Sequence, residues 1–172
     1  MTGKDLQHII CIIHINELPL KHLSAEKGIT TSGPKSCGGV IGDAISDDET
    51  LLSAPVVDFK PMKGPLQDLS ANDLKEMKFS SDQLYFYQML QAIQRGQIAF
   101  IENALLQWRS PGCLNQARWL TRANRILRYY VSQPSPSDDL IRLVEYIVFC
   151  YGPTWFFAKR HNDFTEYAQA LY

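Results

Sequence analysis

Residues 115–132 read Asn115-Gln116-Ala117-Arg118-Trp119-Leu120-Thr121-Arg122-Ala123-Asn124-Arg125-Ile126-Leu127-Arg128-Tyr129-Tyr130-Val131-Ser132. The stretch holds neither glycine nor proline, and its apolar residues recur at helical spacing. With Arg118 set at zero and a rotation of about 100° per residue, Arg122 falls near 40°, Arg125 near 340° and Arg128 near 280°. On the same wheel Trp119, Leu120, Ala123, Ile126, Leu127, Tyr130 and Val131 fall between about 80° and 220°. One arc is apolar and the opposite arc carries four guanidiniums, with no acid at i+3 or i+4 inside the helix to pair them. Guanidinium matches phosphate bidentately, so one reading is a nucleic-acid stripe of Arg118, Arg122, Arg125 and Arg128. The plainer reading is a solvated face, or arginines that meet acids elsewhere in the chain. A third is an acidic protein surface as partner.

Helical signals continue on both sides. Ser80 or Ser81 caps a run through Arg95, and Gly96 suits the position after its end. A second run covers about residues 97–108. A further helix starts at Ser137, with Asp138 and Asp139 in its first turn, and stops before Gly152-Pro153. Its apolar residues nearly encircle it, which predicts a central buried helix. Trp155-Phe156-Phe157 belongs to a short aromatic helix or turn over residues 154–159, and Asp163 opens a last helix through Leu171. Upstream the character differs. Leu6 to Ile13 is β-branched and apolar and reads as a buried strand, followed by a short helical turn over residues 16–23. Residues 24–79 are rich in glycine and proline and read as a long irregular segment, either partly disordered or once wrapped around something now missing. The expected fold class is mainly α: a helical bundle over residues 80–172, preceded by a short β element and an irregular segment over residues 1–79.

The 172 residues are 45% apolar and 20% charged, which excludes a disordered tail. No apolar run reaches the roughly 18 residues of a membrane-spanning helix, and the N-terminus lacks the layout of a secretory signal. No membrane partner is expected. The net charge of −1 names no partner by itself. Its distribution is uneven, however. Residues 43–82 carry nine acids against four lysines, and residues 103–137 carry five arginines and no acid. The two windows are natural internal partners. Cys11, Cys37, Cys113 and Cys150 are widely spaced, so the expectation is four reduced thiols in a nuclear or cytoplasmic protein.

Catalytic signals are sparse. Cys11 and His14 stand three residues apart, which in a strand points them to opposite faces and makes a poor nucleophile–base pair. Zinc would need two further ligands, and His8, His22, Cys37 and Cys113 show no ligand spacing. Gly38-Gly39-Val40-Ile41-Gly42 lacks the Lys-Ser/Thr of a phosphate-binding loop. No catalytic residue, metal or cofactor is expected.

Taken in order, several blocks carry a resemblance: Cys11-Ile-Ile-His14-Ile-Asn16-Glu17-Leu18-Pro19, Thr31-Ser32-Gly33-Pro34, Phe79-Ser-Ser-Asp82-Gln83, and above all Ala117-Arg118-Trp119-Leu120-Thr121-Arg122-Ala123-Asn124-Arg125. Over nearly the whole chain they resemble a family of transposon-derived invertebrate proteins without an assigned activity, one relative being carried by a wasp-associated bracovirus. Cys11, His14, Trp119 and Asn124 are the family-motif positions. A more distant likeness is to the C-terminal catalytic region of hAT-type transposases, which are RNase H-like and carry a Cys/Asp-x-x-His element and a later Arg-Trp segment. Cys11/His14 and Arg118-Trp119 stand in those places. The likeness implies an RNase H-like remnant: the acids that would hold two divalent ions are missing, so the chain is expected to be catalytically inactive, with DNA as partner. It also implies that residues 1–60 pack poorly while the helices after Ser80 fold as a unit.

Overall fold

A computed structural model describes residues 12–33, 36–96 and 118–160. The elements run α1 (Ile12–Glu26), β1 (Thr30–Gly33), β2 (Ser36–Gly38), α2 (Val40–Ser46), α3 (Asp48–Ser53), α4 (Ala71–Glu76), α5 (Ser81–Arg95), α6 (Arg118–Tyr130) and α7 (Asp138–Tyr146). A π-helical turn (Ile147–Tyr151) then joins α7 to α8 (Gly152–Arg160) without a break. The fold is mainly α. Among the described residues the only strands are β1 and β2, an antiparallel hairpin with Thr30 opposite Gly38.

The local signals that predicted α5 are all in place. The Ser80 side chain accepts from the Gln83 amide while the Gln83 side chain accepts from the Ser80 amide. This reciprocal box satisfies two amides that the first turn leaves without partners. Gly96 ends the helix in the left-handed region at φ 65°, where a Cβ would be strained. Ser137 likewise caps α7 by accepting from the Leu140 amide. The helices predicted over residues 97–108 and 163–171 lie outside the described residues.

Three expectations give way. Ile12 and Ile13, read as the end of a strand, are the first turn of α1, which continues through Pro19 to Glu26. Tertiary packing outweighs β-branched propensity here: Asn16, Leu20 and Ser24, four residues apart on one face, are all buried. The Asn16 Nδ2 donates to the Tyr151 carbonyl at 3.0 Å, tying α1 to the π-turn. Residues 1–11, with most of the expected strand and Cys11, lie outside the described residues. Second, Gly152-Pro153 does not stop the helix. The Gly152 amide reaches back to the Ile147 carbonyl, an i→i−5 bond. Asp138–Arg160 is one helix of 23 residues, by length and composition enough to cross a bilayer, yet half of its apolar window is packed inside the molecule.

Third, the segment expected to be loosely packed supplies core. Ile29, Ile41, Ile45 and Leu51 are each at most 6% exposed, and α2 and α3 rest on α6. Contacts therefore cross the expected division at residue 79, where α1 also meets α7 and α8. Residues 55–70 have no regular secondary structure but are tied down along their length. Val57 donates to the Val131 carbonyl at 2.9 Å and Met62 to the Ile93 carbonyl at 3.1 Å. The Tyr130 hydroxyl donates to the Lys60 carbonyl at 3.1 Å, and Gln94 Nε2 to the Leu66 carbonyl at 3.1 Å. The Leu69 amide donates to the Tyr87 hydroxyl at 2.7 Å. Gln91 Nε2 and Arg95 both donate to Asp68 Oδ1 at 2.7 Å. What the strap wraps is the chain's own helices, because a strap lying on a core must find partners for its backbone groups.

The centre is an aromatic cluster. Phe86 stacks on Phe156 with centroids 5.7 Å apart and meets Trp155 edge-on at 6.5 Å, and Tyr151 lies 5.8 Å from Phe86. The long helix approaches α5 closely at Gly152, where a Cβ would meet the Leu90 Cδ1 at 2.5 Å. Gly152→Ala is expected to destabilise the fold by about 1–3 kcal/mol through overpacking. Urea denaturation checks this; a midpoint equal to wild type would contradict the close approach.

Candidate functional site

The helix wheel orients α6 correctly: Leu120, Ala123, Ile126, Leu127, Tyr130 and Val131 are all at most 2% exposed. Two of the arginines on the opposite arc are not open to water, however. Arg122 is 5% exposed and Arg128 is 6% exposed. The guanidinium carbon of Arg122 lies 4.6 Å from the centroid of the Trp119 ring, a cation–π contact. Arg125 donates from Nη1 to the Ile45 carbonyl at 2.6 Å, and Arg128 donates from Nη2 to the Ala54 carbonyl. Ile45 is in the last turn of α2, and Ala54 caps the C-terminus of α3. Helix C-termini present carbonyls without intrahelical donors and carry partial negative charge, so a cation there satisfies both needs.

The residues therefore take their places as follows. Arg122, Arg125 and Arg128 are brought together on one face of α6, and that face is turned towards residues 40–54. For Arg118 the structure describes the backbone alone, as the first residue of α6. Asn124 is 1% exposed and donates from Nδ2 to the Asp82 carbonyl in the first turn of α5 at 3.2 Å. Trp119 is half-buried against the core. The backbone of His14 belongs to α1. Of the two charge windows, the acidic one does face the arginines: Arg125 and Arg128 reach the backbone carbonyls of Ile45 and Ala54 within it. Among the described residues no group of three His, Cys, Asp or Glu side chains could hold a metal ion.

Arg128 and the buried Tyr85 influence each other. Burial lowers the pKa of Arg128, and Tyr85 opposes the shift. Burial raises the Tyr85 phenol to about 12, with the Arg128 charge opposing. At neutral pH the pair is a guanidinium beside a neutral phenol, which suits a fixed structural contact.

Concave surface lies elsewhere, on either side of the strap. One groove of about 480 Å³ runs between the strap and α7, with Phe59, Met62, Ile141 and Phe149 among its apolar lining and Lys60, Lys63 and Glu145 beside them. Another, of about 530 Å³, lies between Leu66, Leu69 and α8, where it is lined by the exposed Phe157 and the rim of the buried Phe156. Phe149 is 44% exposed and Phe157 is 62% exposed. The sequence signal for Phe149 was present, since the apolar residues encircled the helix; what it lacked was the strap that decides which of them stay outside. No family model, no curated protein and no solved structure matches the chain.

Removing Arg128 strands the carbonyl end of α3 in a buried place. Arg128→Ala is expected to cost about 2–4 kcal/mol, whereas Arg142→Ala, at an exposed position, should stay within about 0.5 kcal/mol of wild type. Denaturant titration of both variants is the check; equal, small losses would mean that Arg128 holds nothing in place.

Proposed function

We propose that the chain is a catalytically inactive helical module of transposon-derived origin, acting in the nucleus or cytoplasm by binding a protein partner along the outward face of Asp138–Arg160. The observation that supports this reading is Phe149, a large apolar side chain left 44% exposed at a groove whose lining is apolar and whose flanks carry both signs of charge. Exposed aromatic anchors in concave, mixed-charge surroundings are typical of protein-binding surfaces. Binding of DNA through the arginine helix draws less from the geometry. A phosphate-tracking cation needs its head in solvent, and the heads of Arg122 and Arg128 are spent on the fold.

The test is selection from a random-peptide display library on the immobilised wild-type chain, with a fluorescently labelled DNA duplex titrated in parallel. Peptides with apolar anchors are expected to enrich, to bind in the micromolar range, and to weaken at least about tenfold against Phe149→Asp. A library that yields no peptide sensitive to Phe149, together with salt-dependent duplex binding lost in Arg122→Gln/Arg125→Gln, would overturn the proposal in favour of nucleic acid.

A further inference from the structure

The π-turn has a consequence for the outer face of the long helix. Phe149 and Phe157 are eight residues apart. A π-turn takes up one residue more than an α-turn, so the remaining seven make about two full α-helical turns. The two rings therefore share one face, while Ile147, Val148, Tyr151, Trp155 and Phe156 point inward and are buried. Phe157 also keeps a contact of its own within the chain, so Phe149 is the apolar centre of this surface.

Charge along the same helix is uneven: its first half carries three acids, Asp138, Asp139 and Glu145, against Arg142 alone, and its last turn carries two bases. Asp138 and Asp139 are exposed in the first turn, and Lys159 and Arg160 lie in the last. Phe149 stands eleven residues from Asp138 and eleven from Arg160. Such a surface is complementary to itself when turned through a two-fold axis at Phe149. Rotation then brings each acidic end against the basic end of the other copy and ring against ring at the middle, as an isologous interface requires. It also sets the two helix dipoles antiparallel. A parallel arrangement would instead oppose acid to acid and base to base.

Resting on the reading of this face as a protein-docking surface, we infer that its partner is a second copy of the chain, laid antiparallel along Asp138–Arg160 with Phe149 at the two-fold axis. The existing partners of the end charges do not stand in the way. Asp139 lies 3.6 Å from Lys27 and Arg160 lies 3.2 Å from Asp73, but Asp139 and Arg160 themselves keep about half of their side-chain surface in water and stay within reach of a partner. A lipid surface fits less well, because the acids Asp138, Asp139 and Glu145 share the face and an anionic bilayer favours basic ones.

Sedimentation equilibrium of the full chain is the experiment, with loading raised to about 300 μM because helix-pair interfaces of this size sit at the weak end of stable association. Wild type is expected to show a reversible monomer–dimer equilibrium, and Phe149→Asp to weaken it at least tenfold. A second set tests the orientation at exposed and half-exposed positions. Asp138→Lys/Asp139→Lys has two basic ends and Lys159→Asp/Arg160→Asp has two acidic ends. Each alone should dimerise several-fold more weakly than wild type, and an equimolar mixture should recover a heterodimer, with circular dichroism confirming that both are folded. A chain that stays monomeric while its Phe149-sensitive peptides still bind overturns the second copy and leaves the docking face standing. A dimer indifferent to Phe149→Asp and to the end charges overturns the interface, as does a monomer whose Phe149 instead mediates binding to phosphatidylserine vesicles.

Discussion

Arg128 reaching from α6 to the carbonyl end of α3, with Arg125 doing the same for α2, is the contact on which the arrangement of the first half of the chain depends. Helices of seven and six residues do not persist alone, because nucleation costs more than so few hydrogen bonds return. They persist here because Ile41, Ile45 and Leu51 are buried and because their exposed carbonyl ends are met by cations projecting from a longer helix. The cost of burying guanidinium is offset only where such donors find acceptors. In this fold the last turns of two short helices provide them. The same helix packs its apolar face on α5 and α7, so α6 is the wall shared by both halves.

The long helix depends on a different constraint. Pro153 cannot donate an amide hydrogen bond, and its ring presses on the carbonyl four residues before it. The i→i−5 bond from Gly152 to Ile147 lets the chain pass this point without breaking. The extra residue rotates everything beyond it. Trp155 and Phe156 reach the aromatic cluster around Phe86, while Phe149 and Phe157 remain on the outside. The strap over residues 55–70, fastened through Asp68, Gln91 and Tyr87, then shapes the outer surface into two grooves. Packing of the core and exposure of the proposed docking face are thus two results of one turn.

What could be read from the sequence was what short-range chemistry encodes. Ser80 with Gln83, Gly96, and Ser137 each mark a boundary through bonds to residues within one turn, and the period of α6 fixes which arc is apolar. Long-range decisions were hidden. The isoleucine-rich residues before Asn16 have strand propensity, and only the partners of Asn16, Leu20 and Ser24 show why they continue as helix. The glycines and prolines of residues 24–79 signal turns correctly but say nothing of the tertiary bonds that order the segments between them. Gly152-Pro153 reads locally as a stop, and the π-turn that carries the helix past it is bonded by Asn16 and lies close against Leu90, both from other helices. For the candidate site, periodicity placed the arginines opposite the core without revealing that α2 and α3 lie against Arg125 and Arg128.

Arg122 and Arg128 on α6 belong to the interior. Arginine-directed covalent footprinting with phenylglyoxal, read residue by residue by mass spectrometry on the native chain, separates interior from exposed guanidiniums. Fast modification is expected of the exposed Arg142 and Arg160, and protection of Arg122 and Arg128 that is lost only in denaturant. Arg122 and Arg128 reacting as fast as Arg142 under native conditions would contradict it and return the arginine face to solvent.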